Sequence, residues 1–232
     1  MTADLLGVRS VLVIAPHPDD EALGCGGLIA ALGERGADVA VVFVTDGGAS
    51  HPRSRDWPRA RLADLRAEEA SAALTALGIS SALRLHLGLP DADIVRGSPD
   101  WQRAVERTAQ LAADLRPAVV LAPWRRDPHR DHRDSHALTV EALQRADIRP
   151  RLLEYPIWLD ELEAEDARPR PGEAVALAVD VSRWRKRKRA AVAAHRSQLG
   201  LVVDDDPSGF VLSDATIRRL TDGDEVYFEV QA

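Results

Sequence analysis

Three unbroken apolar runs set the terms for this chain: Val11 to Ile14 (VLVI), Val39 to Val44 (VAVVFV) and Ala118 to Ala122 (AVVLA). None alternates apolar with polar residues. A strand that shows no alternation is buried on both faces, and a sheet buried on both faces is a parallel sheet with helices above and below. The intervening sequence supplies those helices. Asp20 to Arg35, Arg59 to Leu77, Pro99 to Leu115 behind a Ser98 cap, Ser135 to Ala146, and Ser182 to about His195 read as helical. Further strands are expected at Ala82–Leu87, Arg151–Tyr155 and Ala174–Val179, and a last one in the tail LTDGDEVYFEV. The expectation is a single α/β domain spanning residues 1–232, a Rossmann-like three-layer sandwich with a mostly parallel sheet. Glu161 to Gly172, charged and proline-bearing, reads as a mobile loop.

Ligands of such sheets bind at the carboxyl ends of the strands. Two polar clusters lie there. APHPDDEALGCGG, residues 15–27, follows the first run, and PWRRDPHRDHRD follows the third. The glycines of the first cluster do not make a dinucleotide fingerprint: Gly24 and Gly26 fit G-x-G, but position 29 is Ile29. The cluster is also acidic where a pyrophosphate would need amides. The HRD triplet of the second cluster lacks the asparagine of a kinase catalytic loop, since His136 stands at that place.

A divalent metal fits both clusters. His17 and Asp20 are three residues apart at a strand-to-helix turn, a spacing at which both side chains reach one ion, and imidazole with carboxylate suits zinc or a related first-row metal. A third ligand must come from elsewhere, and the second cluster offers His129, Asp131, His132, Asp134 and His136. A carboxylate beside such a metal can act as general base toward water, whose pKa the ion brings to about 7. Asp19, one residue before a ligand, is best placed for this.

The paired signatures His17-Pro18-Asp19-Asp20-Glu21 and His129-Arg130-Asp131-His132 resemble those of the LmbE-like, or PIG-L-like, zinc deacetylases. Arg66 and Glu69 in RLADLRAEEASAALTALGI, and His195 to Gln198 in KRKRAAVAAHRSQ, extend the likeness over most of the chain. The resemblance implies zinc held by His17, Asp20 and His132, with Asp19 as base; two imidazoles and a carboxylate suit Fe2+ as well. It further implies that His129 stabilises an oxyanion or protonates the leaving amine, that Asp131 orients a neighbouring histidine, and that Arg66 contacts the sugar of an N-acetylated amino-sugar conjugate. Arg130 departs from the family's usual proline at that position. His136 is a competing ligand on spacing, and His195 a candidate for the site's rim. Trp124, two residues past a strand end, is the candidate for stacking on a sugar or an aromatic substrate.

Composition narrows the partners. The formal net charge of -7 opposes non-specific binding to nucleic acid or to an anionic membrane. The basic stretch RWRKRKR at 183–189 is expected to be a solvated helix face. No apolar run approaches the roughly 20 residues of a membrane helix, and no leader is visible at MTADLLGVRS. One cysteine, Cys25, excludes an intrachain disulfide, so a cytoplasmic enzyme with a small-molecule substrate is expected. The alternatives are an amidase for a thiol-sugar or acylated antibiotic scaffold, and a non-catalytic sugar- or metal-binding relative.

Overall fold

The computed structural model describes residues 5–162 and 166–231. The chain runs β1 (Ser10–Ala15), α1 (Asp20–Glu34), β2 (Asp38–Thr45), α2 (Arg59–Ala76), β3 (Leu83–Leu89), α3 (Pro99–Leu115), β4 (Val119–Pro123), α4 (Arg130–Arg145) and β5 (Arg151–Tyr155). It ends with β6 (Ala174–Val179), α5 (Arg185–Ala194) behind a 3-10 turn at Ser182–Trp184, α6 (Asp214–Asp222) and β7 (Glu225–Val230). One sheet holds all seven described strands in the order β3-β2-β1-β4-β5-β7-β6. The first five are parallel, as the apolar runs require, and β7 enters antiparallel between β5 and β6.

That order fixes where a ligand can bind. The chain winds outward from β1 through β2 to β3, then crosses back to lay β4 on the other side of β1. The connections leaving β1 and β4 therefore diverge, and a crevice opens between them at their carboxyl ends. Both polar clusters stand at this crevice.

Successive residues of β1 serve opposite layers. Val11, Val13 and Ala15 pack with Leu23, Leu28 and Ile29 of α1, Leu74 of α2 and Val192 of α5. Leu12 and Ile14 pack with Trp101 and Val105 of α3 and Leu138 of α4. Burial on both sides explains the missing alternation.

Helix α1 survives four glycines because bulkier residues would not fit. A Cβ on Gly24 would fall 2.4 Å from the Tyr155 ring, and one on Gly27 would fall 2.5 Å from Val181. Tyr155 cannot yield, since it is fully buried and its hydroxyl donates to the Ile14 carbonyl at 2.6 Å. Elsewhere in a helix, Gly→Ala stabilises. Here Gly24→Ala is expected to destabilise the fold by about 1–3 kcal/mol through overpacking, read as a lowered midpoint of denaturant unfolding. A raised midpoint would contradict the close approach.

Three elements differ from the sequence reading. Helix α4 begins at Arg130 rather than Ser135, so the second cluster forms a helix's first turn instead of a loop. Helix α6 was not anticipated; Ser213 caps it by accepting the Thr216 N–H at 3.0 Å. The basic run at 183–189 is only partly a solvated face. Arg183 pairs with Glu34, Arg189 with Asp222 at 2.6 Å, and Lys188 is buried with its Nζ 2.6 Å from Glu225. Part of the expected mobile loop, residues 163–165, lies outside the described residues.

Candidate metal and catalytic centre

Strand β1 delivers Pro16, His17 and Pro18 across the top of the sheet, and α1 starts at Asp20. The residue between, Asp19, has φ 141°, a region few side-chain-bearing residues adopt. Such a conformation costs on the order of 1–3 kcal/mol and persists only where the surroundings fix it. Here they do. The Asp19 N–H donates to Glu21 Oε2 at 2.9 Å, and Arg66 donates to the Pro18 carbonyl at 2.6 Å and the Gly47 carbonyl at 2.8 Å. Glu21 is itself held by His195, Nε2 to Oε1 at 2.9 Å, both fully buried. His195 therefore lies beneath the site and not at its rim. The Asp19 carboxylate faces the cavity with Oδ2 3.3 Å from Arg66 Nη2. Burial pushes it up to about 6, against the pull of Arg66.

The second cluster arrives at the N-terminus of α4. His129 is the N-cap, and its Nδ1 accepts the Asp131 N–H at 3.2 Å. That contact leaves Nε2 to carry the proton of the neutral ring. The rings of His17, His129 and His132 lie within 5.5 Å of one another, centre to centre. Asp20 joins two of them: its Oδ2 is 3.3 Å from His17 Nδ1 and 3.3 Å from His132 Nε2, and it accepts the His17 N–H at 2.9 Å. His132 is fully buried and neither of its ring nitrogens makes a hydrogen bond. Two imidazoles and a carboxylate converging on one point, with an unsatisfied buried nitrogen aimed into it, fit a zinc or ferrous ion. His136 stands apart from these contacts. It turns to Glu154, with its Nε2 3.2 Å from Oε1.

Carboxylates stand behind both histidines of this trio. Asp131 Oδ2 and Asp91 Oδ1 each lie 3.2 Å from His17 Nε2, and Asp127 Oδ1 lies 3.6 Å from His132 Nδ1. Such partners fix ring orientation and raise ligand basicity at metal sites. Asp131, singled out from the sequence, stands against His17. Asp91, from the loop after β3, and Asp127 were not singled out from sequence. Asp127 also accepts the N–H groups of Ile157 and Trp158, each at 3.1 Å, and so ties the β5 exit to the site.

The charge pattern follows from these contacts. Burial opposes protonation of His132, yet Asp20 and Asp127 outweigh it and raise the imidazole to about 9. Burial likewise works against a charged His17, and its bonds to Asp131, Asp20 and Asp91 raise it well above the ordinary histidine range. Burial alone would raise Asp20; His132 and His17 hold it far below the usual carboxylate range. His129, buried beside two cationic rings, is lowered to about 4.

The cavity over this centre measures about 340 Å³. His17, Asp19, Asp20, Arg66, Asp91 and His129 form its floor, and Trp158, Leu162 and Phe210 stand at its wall. Trp124 is a correction to the sequence reading. The β4–β5 ladder continues one residue past β4, with the Trp124 N–H on the Tyr155 carbonyl at 2.9 Å, and the side chain goes inward. It is fully buried, its indole N–H on the Ala167 carbonyl at 2.6 Å and its ring edge-on to Phe228. No face remains for a sugar. Trp158 lines the cavity instead. Arg66 lines it too, with protein partners on both terminal nitrogens and an unpartnered buried Nε.

Comparisons with known proteins bear on this geometry. The chain is 28% identical over 251 residues to the 1D-myo-inositol 2-acetamido-2-deoxy-alpha-D-glucopyranoside deacetylase of Mycobacteroides abscessus, covering 92% of this chain and 89% of the relative. Among solved structures, the A40926 pseudoaglycone deacetylase Dbv21 superposes with a TM-score of 0.68 at 26% identity, covering 96% of this chain and 97% of that one. GalB, the 4-carboxy-2-hydroxymuconate hydratase of Pseudomonas putida KT2440, superposes with a TM-score of 0.67 at 25% identity, covering 83% and 81%. The family model described as PIG-L, GlcNAc-PI de-N-acetylase, matches residues 12–143, which carry every member of the two clusters, and the chain belongs to that family.

Proposed function

We propose that this chain is a metal-dependent N-deacetylase that hydrolyses the N-acetyl, or a longer N-acyl, amide of an amino-sugar conjugate. The observation that carries the reading is Asp20 joining His17 and His132, with His17, Asp20 and the buried carboxylate of Asp19 lining one cavity. Zinc is the proposed ion, and Fe2+ suits the same donors. When bound, such an ion supplies Lewis-acid polarisation of a carbonyl oxygen and a lowered pKa for water.

The side chains do the rest. Asp19 accepts a proton from the attacking water, and Arg66 holds its carboxylate in place. His129, its Nδ1 engaged by the Asp131 N–H, offers an Nε2–H to the carbonyl oxygen as that oxygen gains charge. Asp131 and Asp91 steady His17, and Asp127 steadies His132. When the C–N bond breaks, the proton held by Asp19 passes to the amine nitrogen.

The likeness to GalB raises water addition to a carboxylated diene as a second chemistry on this fold. The lining argues against it. A polycarboxylate needs cations free to meet it, whereas this floor carries Asp19, Asp20 and Asp91 against Arg66, already bonded to two carbonyls, and His17, already paired with Asp20, Asp91 and Asp131. An uncharged acetamide suits an acidic floor better. No helix among the described residues is long and apolar enough to cross a membrane. The lone Cys25 supports a reducing compartment, and we place the enzyme in the cytoplasm on that ground.

The test is amine release from a panel of N-acetylglucosamine glycosides. We expect release that a chelator abolishes and added zinc or ferrous ion restores. Loss of a conjugated diene's absorbance, with no amine released from any glycoside, would replace the deacetylase reading with the hydratase one.

A further inference from the structure

The cavity above Asp19 has two chemically different halves. Its floor is charged, and its wall is built from Trp158, Leu162 and Phe210. Trp158 and Phe210 meet edge to face at 5.8 Å between ring centres. Leu162 remains 44% exposed and Phe210 38%. Large apolar side chains left in water at a site's mouth mark a surface that something apolar covers.

Phe210 is not exposed through loop freedom. Its N–H donates to the Ser50 carbonyl at 2.7 Å. The preceding Gly209 lies so close to His51 that a Cβ there would fall 2.1 Å from the ring. Asp206 accepts the Arg53 N–H at 2.9 Å, and Asp205 accepts those of Arg55 and Asp56 at 2.7 and 3.0 Å. The 204–212 segment and the 50–56 loop are thus tied into one frame that presents the ring. A preset ring costs a ligand little ordering entropy. The polar side chains near it are engaged with each other: Gln198 Nε2 donates to Ser50 Oγ at 3.3 Å and to Ser197 Oγ at 3.0 Å. A hydroxyl-rich group laid on this wall would lose water without finding equivalent partners.

We propose that Trp158, Leu162 and Phe210 bind an apolar group, alkyl or aryl, carried by the amino sugar either as its aglycone or as its N-acyl chain. The inference rests on the deacetylase reading for the sugar and goes beyond it in naming what the sugar carries.

Binding separates the two readings. The metal-loaded enzyme is titrated calorimetrically with the methyl, hexyl and phenyl β-glycosides of glucosamine, which need no turnover. The Asp19→Asn enzyme is titrated with the N-acetyl and N-hexanoyl forms of the methyl glycoside. We expect a gain of about tenfold in affinity for the hexyl and phenyl aglycones, for the hexanoyl chain, or for both, the gain that burial of about two methylene groups gives. Which series gains identifies the source of the apolar group. Phe210→Ala and Leu162→Ala should each cut that gain to about threefold or less. Equal affinities across both series, or a gain that both variants retain, would overturn the proposal. A gain without amine release from any N-acyl form would leave the wall standing and overturn the deacetylase reading alone.

Discussion

Asp19→Asn is expected to lower amine release by about 10²- to 10⁴-fold, the range over which general bases contribute, while the protein still binds its metal ion. The substitution is nearly isosteric, and asparagine accepts positive φ more readily than most residues, so the backbone at φ 141° is not newly strained. The amide oxygen can still accept from Arg66 Nη2, which lies 3.3 Å from the carboxylate in the parent chain. What disappears is the ability to take a proton from water and return it to the amine. Metal content by elemental analysis beside steady-state rates checks both halves. Full turnover in the variant would remove Asp19 from the chemistry. Loss of metal would make it a ligand.

His132→Ala carries the second large effect. It removes one of the two imidazoles that face Asp20 and leaves Asp127 Oδ1 without its histidine. Metal content is expected to fall from one ion per chain toward none, and amine release to background. His136→Ala is the matched control, one helical turn further along α4. Its imidazole faces Glu154, so that variant is expected to keep its ion. Metal lost from the His136 variant and kept by the His132 variant would reverse the assignment.

Much of this was legible in the sequence for identifiable reasons. The runs at Val11, Val39 and Ala118 lack alternation because each is covered twice, and that alone implied the parallel sheet and placed the site at its carboxyl edge. His17 and Asp20 share a turn, so their convergence is local. What stayed hidden depends on contacts between distant segments. Asp91 reaches His17 from the end of β3, and nothing about DADI in a loop marks it. Asp127 could be seen as one acid among several, but its position behind His132 follows from the path of β5. The charged stretch RRDPHRDHRD reads as a loop because its apolar positions are few. Its helix begins early because His129 caps it and because buried acids and histidines pair where aliphatic residues normally would. Trp124 misled for a related reason: proximity to a strand end says nothing about direction, and one further ladder bond turned the indole into the core. The apolar wall is assembled from two segments some fifty residues apart, Trp158 with Leu162 and then Phe210, whose meeting no local pattern announces.

The most direct test of the account is metal content of the purified enzyme measured together with acetate and amine released from an N-acetylglucosamine glycoside. The account predicts one zinc or ferrous ion per chain, acetate and amine in equal amounts, and loss of both products when a chelator strips the ion. Acetate and amine released undiminished from protein that holds no metal would contradict it.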